Sequence, residues 1–185
     1  YGDANPEFSA GFSGFRNGQD LASSGIQGNP WLSTLADSLT EVGEYAITGA
    51  PGNLISRNYA FKFISGKLSI LPATLTLTAE DKEKYYGDPN PDFTTAFSGF
   101  KNGQSFQNSG LTGNPVFSTD SDTLTDVGTY DIQIAQGNLG AKNYIFNFKK
   151  GFIKILPVTV TVTADDKQRE YGDQNPEFTA TYTGF

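Results

Sequence analysis

The chain repeats itself. Tyr1-Gly2-Asp3, Tyr86-Gly87-Asp88 and Tyr171-Gly172-Asp173 recur at a step of 85 residues. Residues 1–85 align with 86–170 without a gap, and about half of the paired positions are identical. Asn29-Pro30 returns as Asn114-Pro115, Val42-Gly43 as Val127-Gly128, Asn58-Tyr59 as Asn143-Tyr144, and Leu71-Pro72 as Leu156-Pro157. Solenoid turns repeat every ~20–50 residues, whereas this period is the size of a small independent domain. The expectation is beads on a string rather than a continuous superhelix.

The phase of the beads follows from proline. Pro72 and Pro157 lie between alternating runs and have no N–H to give to a ladder, so they suit a boundary. On that phase residues 1–72 are a repeat without its first strand, 73–157 are a complete repeat, and 158–185 are the first strands of a third. These are called copies one, two and three below. The other phase would open each bead at Tyr-Gly-Asp. That motif follows directly on a charged strand end, Glu80 to Tyr85, so it reads as a turn inside a bead.

Copy two reads as strands joined by turns. Ala73-Thr74-Leu75-Thr76-Leu77-Thr78-Ala79 alternates strictly, leucines to one side and threonines to the other, as a half-buried strand does. Val158–Thr163 repeats the pattern in copy three. Tyr86-Gly87-Asp88-Pro89-Asn90-Pro91 is dense turn chemistry. Phe93 to Phe100 reads as a strand with Phe93 and Phe97 in the core. Ser105–Ser109 has no strand pattern and suits a short helical turn. Val116 and Phe117 begin another strand. Gly128–Ala135 follows, with Tyr130, Ile132 and Ile134 on one face. Asn143–Phe148 and Phe152–Leu156 read as a last hairpin around Lys149-Lys150-Gly151. This is a mainly β fold of about six strands, with room for one short helix, in each 85-residue domain. Two architectures fit: a β-grasp (ubiquitin-like) sheet wrapped on the helix, or an immunoglobulin-like sandwich.

Composition excludes several functions. The chain has no Cys, so no disulfide framework, thiolate metal site or cysteine nucleophile. It has no His, which removes the commonest general base and metal ligand. The remaining catalytic option is a carboxylate pair. The recurring carboxylates Asp3/Asp88/Asp173 and Asp81/Asp166 lie in a Pro-rich turn and beside a recurring lysine, so no enzyme is expected. Thirteen Lys and Arg against 20 Asp and Glu give a net charge of −7, which disfavours nucleic acid and anionic membrane surfaces. No apolar run approaches the roughly 18 residues that span a bilayer. With no Met at its start, the sequence reads as a piece of a longer chain.

Candidate sites are few. Asp88, Asn90 and Asp92 have the one-three-five spacing of a calcium loop, without the glycine and glutamate that complete one. Calcium is thus the candidate cofactor, set against a Pro-stiffened Asx turn. Asp120, Asp122 and Asp126 form a second acidic patch. The aromatics Phe93, Phe97, Phe100, Tyr144, Phe146 and Phe148 alternate at strand spacing, which favours core over a glycan platform. Lys82/Lys167 and Asn58/Asn143 recur and are the residues from which a Lys–Asn isopeptide bond is made, a change that lowers the intact mass by one ammonia.

In order along copy two stand Tyr-Gly-Asp-x-Asn-Pro-x-Phe, Phe-Ser-Gly-Phe-x-Asn-Gly, Asp-Val-Gly-Thr-Tyr, and Asn-Tyr-x-Phe-x-Phe-x-x-Gly before Ile-Leu-Pro. The series resembles the MBG repeat of the YGX type, found in tandem in very large bacterial surface proteins. Tyr86, Gly87, Asp88, Asn90, Pro91 and Phe93 match its opening turn motif. Gly99, Phe100, Gly103, Gly128, Tyr130, Asn143, Tyr144 and Gly151 match further on. Copy one departs slightly, with Glu41 and Glu44 flanking Val42-Gly43. The resemblance covers essentially the whole chain. It implies an extracellular repeat on the bacterial cell surface, distantly akin to β-grasp mucin-binding domains. It also implies the stalk or filament of a secreted adhesin, of gliding or biofilm type, that projects a distal adhesive region. The alternative is a glycan- or protein-binding module acting through each repeat. The partners so implied are neighbouring repeats of the same chain and, on the second reading, surface glycans or other cell-surface proteins. No catalytic residue carries over.

Overall fold

A computed structural model describes all 185 residues. By internal packing the chain divides into two compact units. One comprises Tyr1–Thr76, Phe97–Asn114 and Gln136–Asn147; the other comprises Leu77–Ala96, Pro115–Ala135 and Phe148–Phe185.

Copy two holds seven strands: β4 (Ala73–Ala79), β5 (Lys82–Tyr85), β6 (Thr95–Ser98), β7 (Val116–Ser118), β8 (Gly128–Ala135), β9 (Tyr144–Lys149) and β10 (Gly151–Leu156). They make two sheets, ordered β6-β4-β9 and β5-β10-β8-β7. Within each, period-two alternation puts one face in the core. Leu75 and Leu77 of β4, Ile132 of β8, and Ile153 and Ile155 of β10 are the largest fully buried side chains. The Thr partners of those leucines are exposed or half-buried. The architecture is a mainly β sandwich.

Three sequence expectations are corrected. There is no helix, so the β-grasp alternative, which needs one to wrap, does not describe this fold. Residues 105–109 close only a single turn, with Ser109 N–H donating to Ser105 O at 3.0 Å. The Asn108 side chain also accepts from Ser105 N–H at 2.6 Å, and Gly110, at φ +75, ends the turn after Ser109. Second, β9 and β10 are not a hairpin. Lys149-Lys150-Gly151 carries the chain from one sheet to the other, so the two strands pair with different neighbours. Third, the charged strand end before Tyr86 is a strand of its own, separate from β4. β5 runs parallel to β10, with Ile153 opposite Lys82 and Leu156 opposite Tyr85. Its alternation is carried by lysines, of which Lys84 is buried, so hydrophobicity does not reveal it.

Copy one holds three strands, β1 (Trp31–Ser33), β2 (Gly43–Ala50) and β3 (Gly66–Ile70), in one antiparallel sheet ordered β1-β2-β3. By the repeat alignment these match β7, β8 and β10. The segments that match β6 and β9, residues 10–13 and 59–64, form no strand. Copy three shows β11 (Thr161–Ala164) paired antiparallel with β12 (Ala180–Thr183), the counterparts of β4 and β6.

Candidate functional site: the junction of successive repeats

The Tyr-Gly-Asp motif keeps its glycine at positive φ in all three copies, and Asp88 and Asp173 close the same turn. Asp88 N–H donates to Tyr85 O at 3.1 Å, closing a turn whose Gly87 has φ +88, a region that glycine enters without strain. Tyr86 N–H continues the β5–β10 ladder by donating to Leu156 O at 2.9 Å. In copy one the Tyr1 ammonium donates to the matching Leu71 O at 2.6 Å. Beside the turn, the buried Lys84 ammonium donates to Asp88 O and Asp122 O at 3.1 and 2.6 Å. Arg169 does the same to Asp173 O in copy three.

Of the residues weighed for calcium, Asn90 is held in a side-chain hydrogen bond of its own. Asn90 Nδ2 donates to Ser121 O at 2.7 Å, and Asn5 Nδ2 donates to the matching Ala36 O at 2.6 Å. Asp88 and Asp92 are exposed, Pro91 and Phe93 are half-buried, and no three carboxylates converge on a common point. In the second acidic patch Asp122 Oδ1 accepts from Thr125 Oγ1 and Leu124 N–H, each at 2.9 Å. The Thr125 bond, then the Leu124 amide, holds the Asp122 carboxyl below its usual range. Asp37 and Thr40 repeat this turn in copy one. The aromatics pack on each other: Phe93 on Phe117, Phe97 on Phe106, and Phe100 edge-on to Tyr144. Lys82 Nζ donates to Thr94 Oγ1, and Asn143 Oδ1 accepts from Val42 N–H, so neither group proposed for an isopeptide bond is idle.

That last bond belongs to a set that sequence reasoning missed. Inside the first compact unit, loops of copy one meet loops of copy two. Val42 N–H donates to Asn143 Oδ1 at 3.0 Å, while Asn143 O accepts from Ala73 N–H at 3.0 Å. Buried Asn143 thus ties the first residue of copy two to a loop of copy one. Asn102 Nδ2 donates to Ser38 O at 3.1 Å. Lys101 Nζ lies 2.7 Å from Asp3 Oδ1, and Lys142 pairs with Glu41. The Tyr1 ring meets the Tyr144 ring edge-on at 5.7 Å. Tyr1 O–H donates to Gln104 Oε1 at 3.3 Å, the oxygen that also takes the Tyr144 O–H at 2.6 Å. Gly2 permits this approach, because a Cβ there would fall 2.3 Å from Lys101 Cβ.

Local sequence explains how these side chains are presented. In Lys101-Asn102-Gly103-Gln104 the Gln104 N–H donates to Lys101 O at 3.0 Å, with Asn102 at φ +54 and Gly103 at φ +67. Asn tolerates the left-handed region better than other side-chain-bearing residues. The turn thereby points Lys101 and Asn102 outward. Arg16-Asn17-Gly18-Gln19 copies it, with Asn17 at φ +53.

The electrostatics are those of exposed pairs. The hydrogen bond from Lys101, then its charge, holds the Asp3 carboxyl below its usual value, and the Glu41 hydrogen bond raises Lys142. Such pairs contribute little stability and mainly fix orientation. Their chemistry recurs. Lys101, Asn102, Gln104, Lys142, Asn143 and Tyr144 match Arg16, Asn17, Gln19, Arg57, Asn58 and Tyr59. Tyr1, Asp3, Ser38, Glu41 and Val42 match Tyr86, Asp88, Thr123, Asp126 and Val127. Copies one and two therefore each carry a cationic, amide-rich set and an anionic set. That charge complementarity between copies was the signal in the sequence.

A family model for the MBG domain (YGX type) matches residues 1–69, 75–154 and 160–185. The chain belongs to this family. The three matches make it a tandem array of MBG domains, consistent with repeats of a surface protein. No curated protein and no solved structure matches it. No helix in these MBG repeats is long and apolar enough to cross a membrane.

Proposed function

We propose that these MBG repeats are stalk elements of a large secreted bacterial surface protein, set end to end to project a distal adhesive region from the cell. The observation that carries this reading is the linker-free junction, in which Asn143, a residue of copy two, holds both Ala73 and the copy-one loop at Val42. A Gly/Ser linker would leave successive beads free to reorient, whereas hydrogen bonds and ion pairs across the joint restrict them. The recurrence of both halves of the joint supports the same contact between further neighbours. Head-to-tail charge complementarity favours addition in one direction, and the surplus of acid keeps such arrays soluble. On this reading the repeats are extracellular, non-catalytic and joined chiefly to each other, in a gliding or biofilm adhesin.

Small-angle scattering of chains with two, four and six repeats tests it. The expected maximum dimension grows in proportion to repeat number. Growth near the half power of repeat number, as for freely jointed beads, overturns it. A glycan array probed with the same chains tests binding through each repeat; signal that multiplies with repeat number favours the adhesive-module reading instead.

A further inference from the structure

The chain has 13 asparagines, and only two of them stand before glycine: Asn17-Gly18 and Asn102-Gly103. Both lie in the turn that presents the cationic set, at matching places in copies one and two. The others precede Pro, which has no N–H, or the larger residues Leu, Tyr, Phe and Ser. The turn explains part of this choice. With φ +54 at Asn102 and +67 at Gly103, it needs residues that enter the left-handed region. Asp-Gly or Gly-Gly would serve that geometry as well as Asn-Gly does.

The joint explains the rest. Asn102 Nδ2 donates to Ser38 O of copy one at 3.1 Å. A carboxylate in its place has no proton to give and would set oxygen against oxygen. The amide is therefore what the joint uses at this position. That amide also lies next to a nucleophile. Gly103 has no side chain to shield its nitrogen, its N–H has no acceptor, and both residues are exposed to water.

We propose that Asn102 is a deamidation site gated by the joint. The Gly103 nitrogen attacks Asn102 Cγ. An N–Cγ bond forms, the Cγ–Nδ2 bond breaks, and Nδ2 leaves as ammonia with the proton from Gly103 N. Water then opens the cyclic imide. Opening at Cγ leaves aspartate, and opening at the main-chain carbonyl leaves isoaspartate, whose main chain is longer by one carbon. One ammonia is lost and one water gained, so no oxidant or cofactor is needed.

While the joint is closed, Ser38 O holds Nδ2, and the Gln104 N–H bond to Lys101 O holds the turn. Cyclisation requires the side chain to leave Ser38 and swing onto Gly103 N, so opening of the joint releases it. Either product replaces a donor by an anion, and isoaspartate also alters the spacing of the turn. A converted joint does not regain the Ser38 bond, so joints that have opened are weakened for good. The site needs only the joint and would exist whether or not the array serves as a stalk.

Incubation of the 185-residue chain at mildly alkaline pH tests this. Peptide mass spectrometry reads conversion at Asn102 and at Asn17 separately, each as a gain of about 1 Da. Asp3→Ala with Glu41→Ala removes both ion pairs of the joint from the copy-one side. It is expected to speed conversion at Asn102 by at least about threefold and to leave the rate at Asn17 unchanged. Asn102→Asp is expected to speed hydrogen exchange at Val42 by about fivefold, the worth of one hydrogen bond, with β8 amides unchanged. If β8 amides change as well, that variant has disturbed copy two and the two conversion rates decide. Equal rates at Asn102 in the native and the Asp3/Glu41 chains overturn the proposal. So does native exchange at Val42 in the Asn102→Asp chain, or conversion at Asn17 with none at Asn102 in the Asp3/Glu41 chain.

Discussion

Copies one and two share about half their residues, yet one folds into three strands and the other into seven. Residues 1–72 include no counterpart of β4 or of β5. β4 sits between β6 and β9, so removing it takes the hydrogen-bond partner from both flanking strands at once. Phe61 and Phe63 keep the alternation of Phe146 and Phe148, but their backbone has no ladder to join. Burial follows pairing. Leu139 and Tyr144 are buried in copy two, while their counterparts Leu54 and Tyr59 are only half-buried. A strand-like sequence is thus a strand only where a neighbouring strand completes it.

The largest expected effect comes from weakening the element that copy one lacks. Leu77→Ala empties a fully buried site and should cost about 2–5 kcal/mol in urea denaturation of copy two. Trp31, the chain's only tryptophan, reports separately on copy one by fluorescence, and its transition should move much less. Equal shifts in both signals would break the contrast between the copies.

Matched glycine variants sharpen the same contrast. Gly151→Ala forces a methyl against Ala79 O and should destabilise by about 1–3 kcal/mol. Gly66→Ala meets only the Ile47 side chain, at 3.8 Å, and should stay within about 0.5 kcal/mol. A cost at Gly66 similar to that at Gly151 would break the contrast.

The junction is expected to respond more modestly. Asn143→Ala leaves the Val42 N–H without its acceptor and should cost about 1–2 kcal/mol. Hydrogen exchange at Val42 should speed up while that of β8 amides is unchanged. Unaltered exchange at Val42 would count against the joint as a fixed contact.

Smallest is the pH response. Asp3 has a folded pKa below its usual 3.8, so its pairing stabilises above that value and is lost as pH falls through the depressed one. Lys142 is raised above its usual 10.5, so its contribution is complete below that value and is lost as pH rises through the raised one. The joint should therefore be tightest between these limits and loosen in acid through Asp3. NMR titration of the Asp3 carboxyl carbon checks it, and a Lys101→Ala chain should titrate at the ordinary value.

Much of copy two was legible. The Leu/Thr alternation of Ala73–Ala79 and the run Gly128–Ala135 coincide with β4 and β8, because period-two patterns report a buried face locally. The one-sided faces of Ile153 and Ile155 were legible for the same reason. β5 read only as the charged end of a strand, because its inward residue is Lys84, whose ammonium is held by carbonyls rather than by apolar neighbours. The crossing at Lys149-Lys150-Gly151 was hidden because two adjacent alternating runs look alike whether they pair with each other or with other strands.

The sequence by itself determined the period, the bead size, the family, the turns that need Gly87 or Asn102, and which side chains of each run face inward. All of these depend on residues close together in the chain. The tertiary structure alone decided which strands pair, that no helix forms, and that Asn143 joins two repeats. Those outcomes depend on backbone partners tens of residues away, and hydrogen-bonding groups are the same at every position.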